Sequence, residues 1–144
     1  MKKIITAIGN EILNKKLKKE NDFEVIIEDI QYKEGIIEYL EKENNIDILI
    51  ISELLPGNIE LKELIEKIKN INSNIEIILF LENKNTELEN YLYAKGIYNI
   101  FYNNQIEIEE IIKIINNKNI EINNELKEIK QMLLEKQKNK IVKE

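Results

Sequence analysis

A length of 144 residues with 43% apolar and 33% charged side chains fits one globular domain with a single sizeable core and excludes a disordered chain. The net charge of −6, with no arginine or histidine, argues against a nucleic-acid partner and removes both the arginine finger and any Ser-His-Asp or Cys-His relay. Cysteine is absent too, which rules out disulfides and thiolate-held zinc or iron–sulfur clusters and fits a cytoplasmic protein.

No run of about 18 apolar residues exists, so no membrane insertion is expected. The opening MKKIITAIGNEIL reaches Glu11 without a small-residue cleavage site and is not read as a signal peptide. Five short runs of β-branched or aromatic residues predict strands: KIITAI (3–8), FEVIIE (23–28), DILIIS (47–52), IEIILFL (75–81) and YNIFY (98–102). Between them lie charged segments with helical periodicity. Ile12, Leu13 and Leu17 share a face in the first, Ile36, Ile37 and Leu40 in the second, and Leu61, Leu64, Ile65 and Ile68 in the third.

In the fourth, Leu88, Tyr91 and Leu92 lie together with Tyr93 roughly opposite. In the fifth, Ile108, Ile111, Ile112 and Ile115 form an inward stripe that leaves Ile106 and Ile114 off it. The nearly all-apolar third and fourth strands read as parallel strands covered on both faces. Right-handed crossovers then give an α/β, five-stranded (βα)5 sandwich over residues 1–117.

Residues 118–144 form a helical extension or linker that could lead to a further domain. There Ile122, Leu126, Ile129 and Leu133 step by 4, 3 and 4, an a/d seam of about two heptads. Two readings stay open: a polar helix that frays into a linker, or a seam that pairs with its copy in a dimer. AIGNEIL carries one glycine rather than a G-x-G-x-x-G, and no P-loop pattern occurs, so neither usual nucleotide site is expected. A small α/β enzyme or flavin binder finds little support in four glycines and no histidine.

The stretch 23–57, which ends in DILIISELLPG, resembles the response-regulator receiver family, whose third strand delivers a phosphoacceptor aspartate four residues before a Pro-Gly-type turn. Counting back four from Pro56 gives Ser52. YAKGIYNIFYNN is similar to the receiver pattern that runs from an Ala/Gly through the fifth strand to a lysine. The resemblance covers about residues 2–117 and implies a CheY-like, flavodoxin-like three-layer sandwich with sheet order 2-1-3-4-5. It also implies where the chemistry would sit. The acidic pair falls on Ile8, Gly9 and Asn10, the hydroxyl on Phe80 or Leu81, the switch aromatic on Ile100, and the lysine on Asn103.

No position keeps its group, so a degenerate pocket is expected at Gly9, Asn10, Ser52, Glu53, Leu81 and Asn103, with no catalytic residue, no cofactor and no metal. A serine without a base, a metal or a lysine is not an activated nucleophile. An alternative places Glu53 at the nucleophile position with Glu11 approaching from the first loop, giving a Mg²⁺ or phosphate site that involves Ser52.

Receivers commonly dimerise through the fourth helix, fifth strand and fifth helix. In that region Tyr93, Phe101, Tyr102, Ile106 and Ile114 form a candidate apolar interface. Asn99, Asn103 and Asn104 either blunt the sheet edge or bond across that interface. The first loop AIGNEIL and the ending KNKIVKE resemble the atypical receiver that precedes a ParA/MinD-like ATPase in pilus-assembly proteins of the TadZ/CpaE type. That resemblance implies a homodimerising, ATPase-placing module rather than an enzyme.

Overall fold

The computed structural model of the chain describes residues 1–27, 29–43, 45–102, 107–116, 129, 132 and 133. Strands and helices alternate: β1 (Lys2–Ala7), α1 (Glu11–Lys18), β2 (Phe23–Val25), α2 (Lys33–Lys42), β3 (Ile48–Ser52), α3 (Leu61–Ile71), β4 (Glu76–Leu81), α4 (Thr86–Ala94), β5 (Asn99–Tyr102) and α5 (Ile108–Ile115). The strands pair in parallel in the order β2-β1-β3-β4-β5, the CheY-like flavodoxin order.

The all-buried β3 divides its side chains between two cores. Ile48 and Ile50 meet Ile4, Ile78 and Phe80 under Leu13 and Leu17 of α1 and Ile111 and Ile115 of α5. Leu49 and Ile51 meet Ile5, Leu79 and Leu81 under α2, α3 and α4. Alternation on a pleated strand therefore explains why a continuous aliphatic run was needed: each face feeds a different helical layer. Burying one such side chain contributes about 1.5–3 kcal/mol, far more than any local helix preference.

β2 is shorter than the predicted 23–28. Its ladder with β1 runs from Lys2↔Phe23 to Ile4↔Val25. Ile26 N–H still donates to the Ile4 carbonyl at 2.9 Å; the chain then leaves and meets β1 again where Ile30 N–H donates to Thr6 at 2.8 Å. That detour carries Asp29 over the end of β1.

α4 ends in a Schellman motif, with Gly96 at φ 81°, Ile97 N–H donating to the Leu92 carbonyl and Gly96 N–H to that of Tyr93. Ile97 is then 1% exposed, plugging the core just before β5. In the C-terminal extension, Ile129, Met132 and Leu133 are helical and exposed, while Ile122 and Leu126 lie outside the described residues.

Candidate functional site

The carboxyl ends of β1 and β3 open a cleft of about 660 Å³, at the point where the chain departs from the sheet in opposite directions. Its floor comes from the β1–α1 loop. Gly9 adopts φ 65°, a left-handed conformation that turns two successive amides outward. Asn10 then caps α1, its Oδ1 accepting from Leu13 N–H at 3.1 Å.

The two freed amides are already taken. Asp29 Oδ1 accepts from Ile8 N–H at 2.9 Å and Oδ2 from Gly9 N–H at 2.7 Å. The end of the first strand carries Ile8, Gly9 and Asn10 and no carboxylate of its own. The structure brings one from the loop after β2, 20 residues beyond Gly9. Its signal was an aspartate directly after a strand-like run, a pattern too common to single it out.

Ser52 lines the cleft and is 6% exposed. Its Oγ accepts from Leu54 N–H at 3.1 Å, while its carbonyl accepts from Leu55 N–H at 3.1 Å, so the residue closes the turn after β3. The turn is anchored to α2 as well. Lys33 N–H donates to the Pro56 carbonyl at 2.8 Å, Lys33 Nζ to the Ile59 carbonyl at 3.0 Å, and Asn58 N–H to Glu34 Oε1 at 2.6 Å. The Asn58 amide is the main reason the Glu34 carboxyl is held below its usual range. Gly57 is needed here, since a Cβ at its position would stand 2.8 Å from Lys33 Cβ.

Of the other sequence-derived positions, Gly9, Asn10 and Glu11 line the cleft. Glu53 leaves β3 beside β4, its N–H donating to the Phe80 carbonyl at 2.8 Å, and it is not part of the cleft wall. Its Oε2 is buried without a hydrogen-bond partner. Leu81 is fully buried in the core beneath α3 and α4. Asn103 lies outside the described residues.

A receiver's Mg²⁺ needs convergent carboxylate oxygens. Here the cleft's two carboxylates are Glu11 and Asp29, both Asp29 oxygens hold amides, Ser52 Oγ and Asn10 Oδ1 each accept a backbone N–H, and Glu53 stands outside. Among the described residues no three acidic side chains gather where a cation could sit. The residues present do not fit the ion.

The second sequence-derived surface is α4–β5–α5. Phe101 packs against Phe80 with ring centroids 5.9 Å apart and belongs to the α1/α5 core, as does half-buried Ile114. Tyr102 turns to the other face, where its hydroxyl donates to Glu89, a carboxylate only 9% exposed with Lys84 Nζ 3.9 Å away. Burial first and Glu89 second raise the Tyr102 hydroxyl well above its ordinary range. Tyr93 stacks on Tyr98 at 6.2 Å. Ile106 lies outside the described residues. Lower on α4, Tyr91 donates to Glu66 at 2.8 Å, and Lys95 pairs with the same carboxylate at 2.5 Å, tying α4 to α3. Burial and Glu66 push the Tyr91 hydroxyl up to about 12.

No protein-family model matches this chain, and no curated protein does. Solved structures do, 93 chains in all. A CheY-like receiver domain protein from Methanospirillum hungatei JF-1 superposes with a TM-score of 0.70 at 18% identity, over 87% of this chain and 98% of that one. A LuxR-family DNA-binding response regulator from Staphylococcus aureus gives 0.67 at 19% identity, over 81% and 98%. The isolated REC domain of RcsB from Salmonella enterica, solved with phosphomimetic BeF3−, gives 0.68 at 18% identity, over 81% and 88%. At these identities the likeness is one of fold.

Proposed function

We propose that this receiver-fold domain is a non-catalytic, phosphorylation-independent pseudo-receiver, a cytoplasmic regulatory module that works by contacting other proteins and a second copy of itself. The observation that carries the reading is the state of Ser52. Its oxygen is engaged by Leu54 N–H, no three acidic side chains gather among the described residues, and Asp29 on the cleft floor holds the Ile8 and Gly9 amides. A hydroxyl whose oxygen closes its own turn in this way, with no base positioned on it, is not an activated nucleophile. The likeness to the receivers of pilus-assembly proteins of the TadZ/CpaE type extends the proposal to placing a ParA/MinD-like ATPase.

Backbone NMR of the full chain with Mg²⁺ and beryllofluoride, or with acetyl phosphate, tests it. Signals from residues 50–57 should stay in place. One observation favours a second reading, a receiver that still takes Mg²⁺ or phosphate through Glu53, Glu11 and Ser52: the unpartnered, buried Oε2 of Glu53. Saturable shifts at Glu53 and Glu11 in the same titration would select that reading instead.

A further inference from the structure

Two voids meet beyond the carboxyl end of β1. The strand-end cleft and a second hollow of about 520 Å³ along α1 share Gly9, Glu11, Asp29 and Gln31 as a common wall. On the cleft side of that wall stand Ile12 and Leu54, apolar side chains left 68% and 58% exposed. On the other side stand Lys15 and Lys18, about one and about two helical turns on from Glu11. The lining therefore runs from apolar through acidic to basic.

Charges of both signs face this space without cancelling one another. Glu11 and Lys15 have the i,i+4 spacing that favours a pair, yet among the described residues no ion pair joins Glu11 or Asp29 to Lys15 or Lys18. Asp29 keeps acceptor capacity, since each of its oxygens takes one amide and a carboxylate offers about four sites. Asn14 lines the hollow as well, its Oδ1 buried and without a hydrogen-bond partner. The loop amides, by contrast, are occupied: those of Ile8 and Gly9 by Asp29, those of Leu54 and Leu55 by Ser52.

We propose that cleft and hollow together bind a small zwitterion with an aliphatic tail, of the class of a free aliphatic α-amino acid. Its ammonium meets Glu11 and Asp29, its carboxylate meets Lys15 and Lys18, and its tail covers Ile12 and Leu54. A simple anion finds the loop amides already bonded and two carboxylates in the wall, whereas a simple cation finds the two lysines. A neutral apolar molecule leaves all four charges unmatched. Only a ligand with both charges and a tail suits the three zones in their order. Binding of this kind needs neither a phosphoryl donor nor a partner protein, so it and the interaction role can fail separately.

The experiment titrates the full chain with L-leucine, read by backbone NMR, beside three molecules that each lack one part of it. Isopentylamine has no carboxylate, isocaproate has no ammonium, and glycine has no tail. Leucine should give saturable shifts at Gly9, Ile12, Asn14, Gln31 and Leu54 and bind at least about tenfold more tightly than any of the three, a difference of about 1.4 kcal/mol. Lys15→Gln with Lys18→Gln, at two exposed positions, should erase the advantage of leucine over isopentylamine while Ile97 and other core signals stay in place. Ile12→Ser should reduce its advantage over glycine. Leucine that shifts nothing, equal binding of leucine and the amine, or indifference to the lysine double variant overturns the proposal. So do cleft signals that move with protein concentration alone, which assign the face to a second copy.

Discussion

Gly57 and Gly96 both sit at positive φ, yet they carry different loads. At Gly96, φ 81°, no atom lies within 4 Å of an added Cβ, so Gly96→Ala meets only the left-handed backbone cost of about 1 kcal/mol. At Gly57, φ 156°, the same methyl runs into Lys33 Cβ at 2.8 Å and Glu34 Oε2 at 2.9 Å. Gly57→Ala should therefore cost about 2–4 kcal/mol, adding overpacking to backbone strain, and should loosen the Asn58–Glu34 bond. Urea unfolding of the two variants checks the ordering; equal losses would mean that the turn yields freely. The same residue scale shows what the sequence could tell. Ser52 at the end of β3 was legible because a strand and a proline turn fix the count between them. Asp29 was not, because its role depends on where β2 stops pairing, and a one-strand pattern says nothing about when a neighbour releases it.

Elements were legible wherever burial on both faces left no polar option, as in β3 and β4. The apolar content of α4, β5 and α5 was legible too; what the structure adds is that Phe101 and Ile114 pack toward the α1/α5 core and Tyr102 toward the other. What joins α4 to β5 is polar, the Tyr102–Glu89 bond with Lys84 alongside. Tyr102→Phe leaves a buried carboxylate short of a donor and should cost about 1–3 kcal/mol near neutrality.

The pH dependence has a definite sign. Tyr102 is raised above the ordinary 10.0, so in alkali the unfolded chain loses that proton first. Its contribution is complete below about pH 10 and drains away as pH rises from there toward the folded value. The gap between wild type and Tyr102→Phe should consequently narrow above pH 10 in chemical denaturation followed across pH. A gap that widens there would contradict the assigned bond.

At the scale of the molecule, Ile129, Met132 and Leu133 of the C-terminal extension are helical and stand more than half exposed. A seam of about two heptads is marginal alone, so self-association should draw on the domain as well. Sedimentation equilibrium of the full chain should give twice the chain mass at high micromolar concentration, and Ile129→Asp with Leu133→Asp should weaken the dimer at least about tenfold. A monomer throughout would remove the self-pairing half of the proposed function and leave the cleft untouched.

The bonds that hold the Pro56–Asn58 turn against the start of α2 have a kinetic corollary. A turn tied to a helix start should open only when that start lets go, so the Lys33 and Asn58 amide protons should exchange with solvent at similar, slow rates rather than at the rates of a free loop.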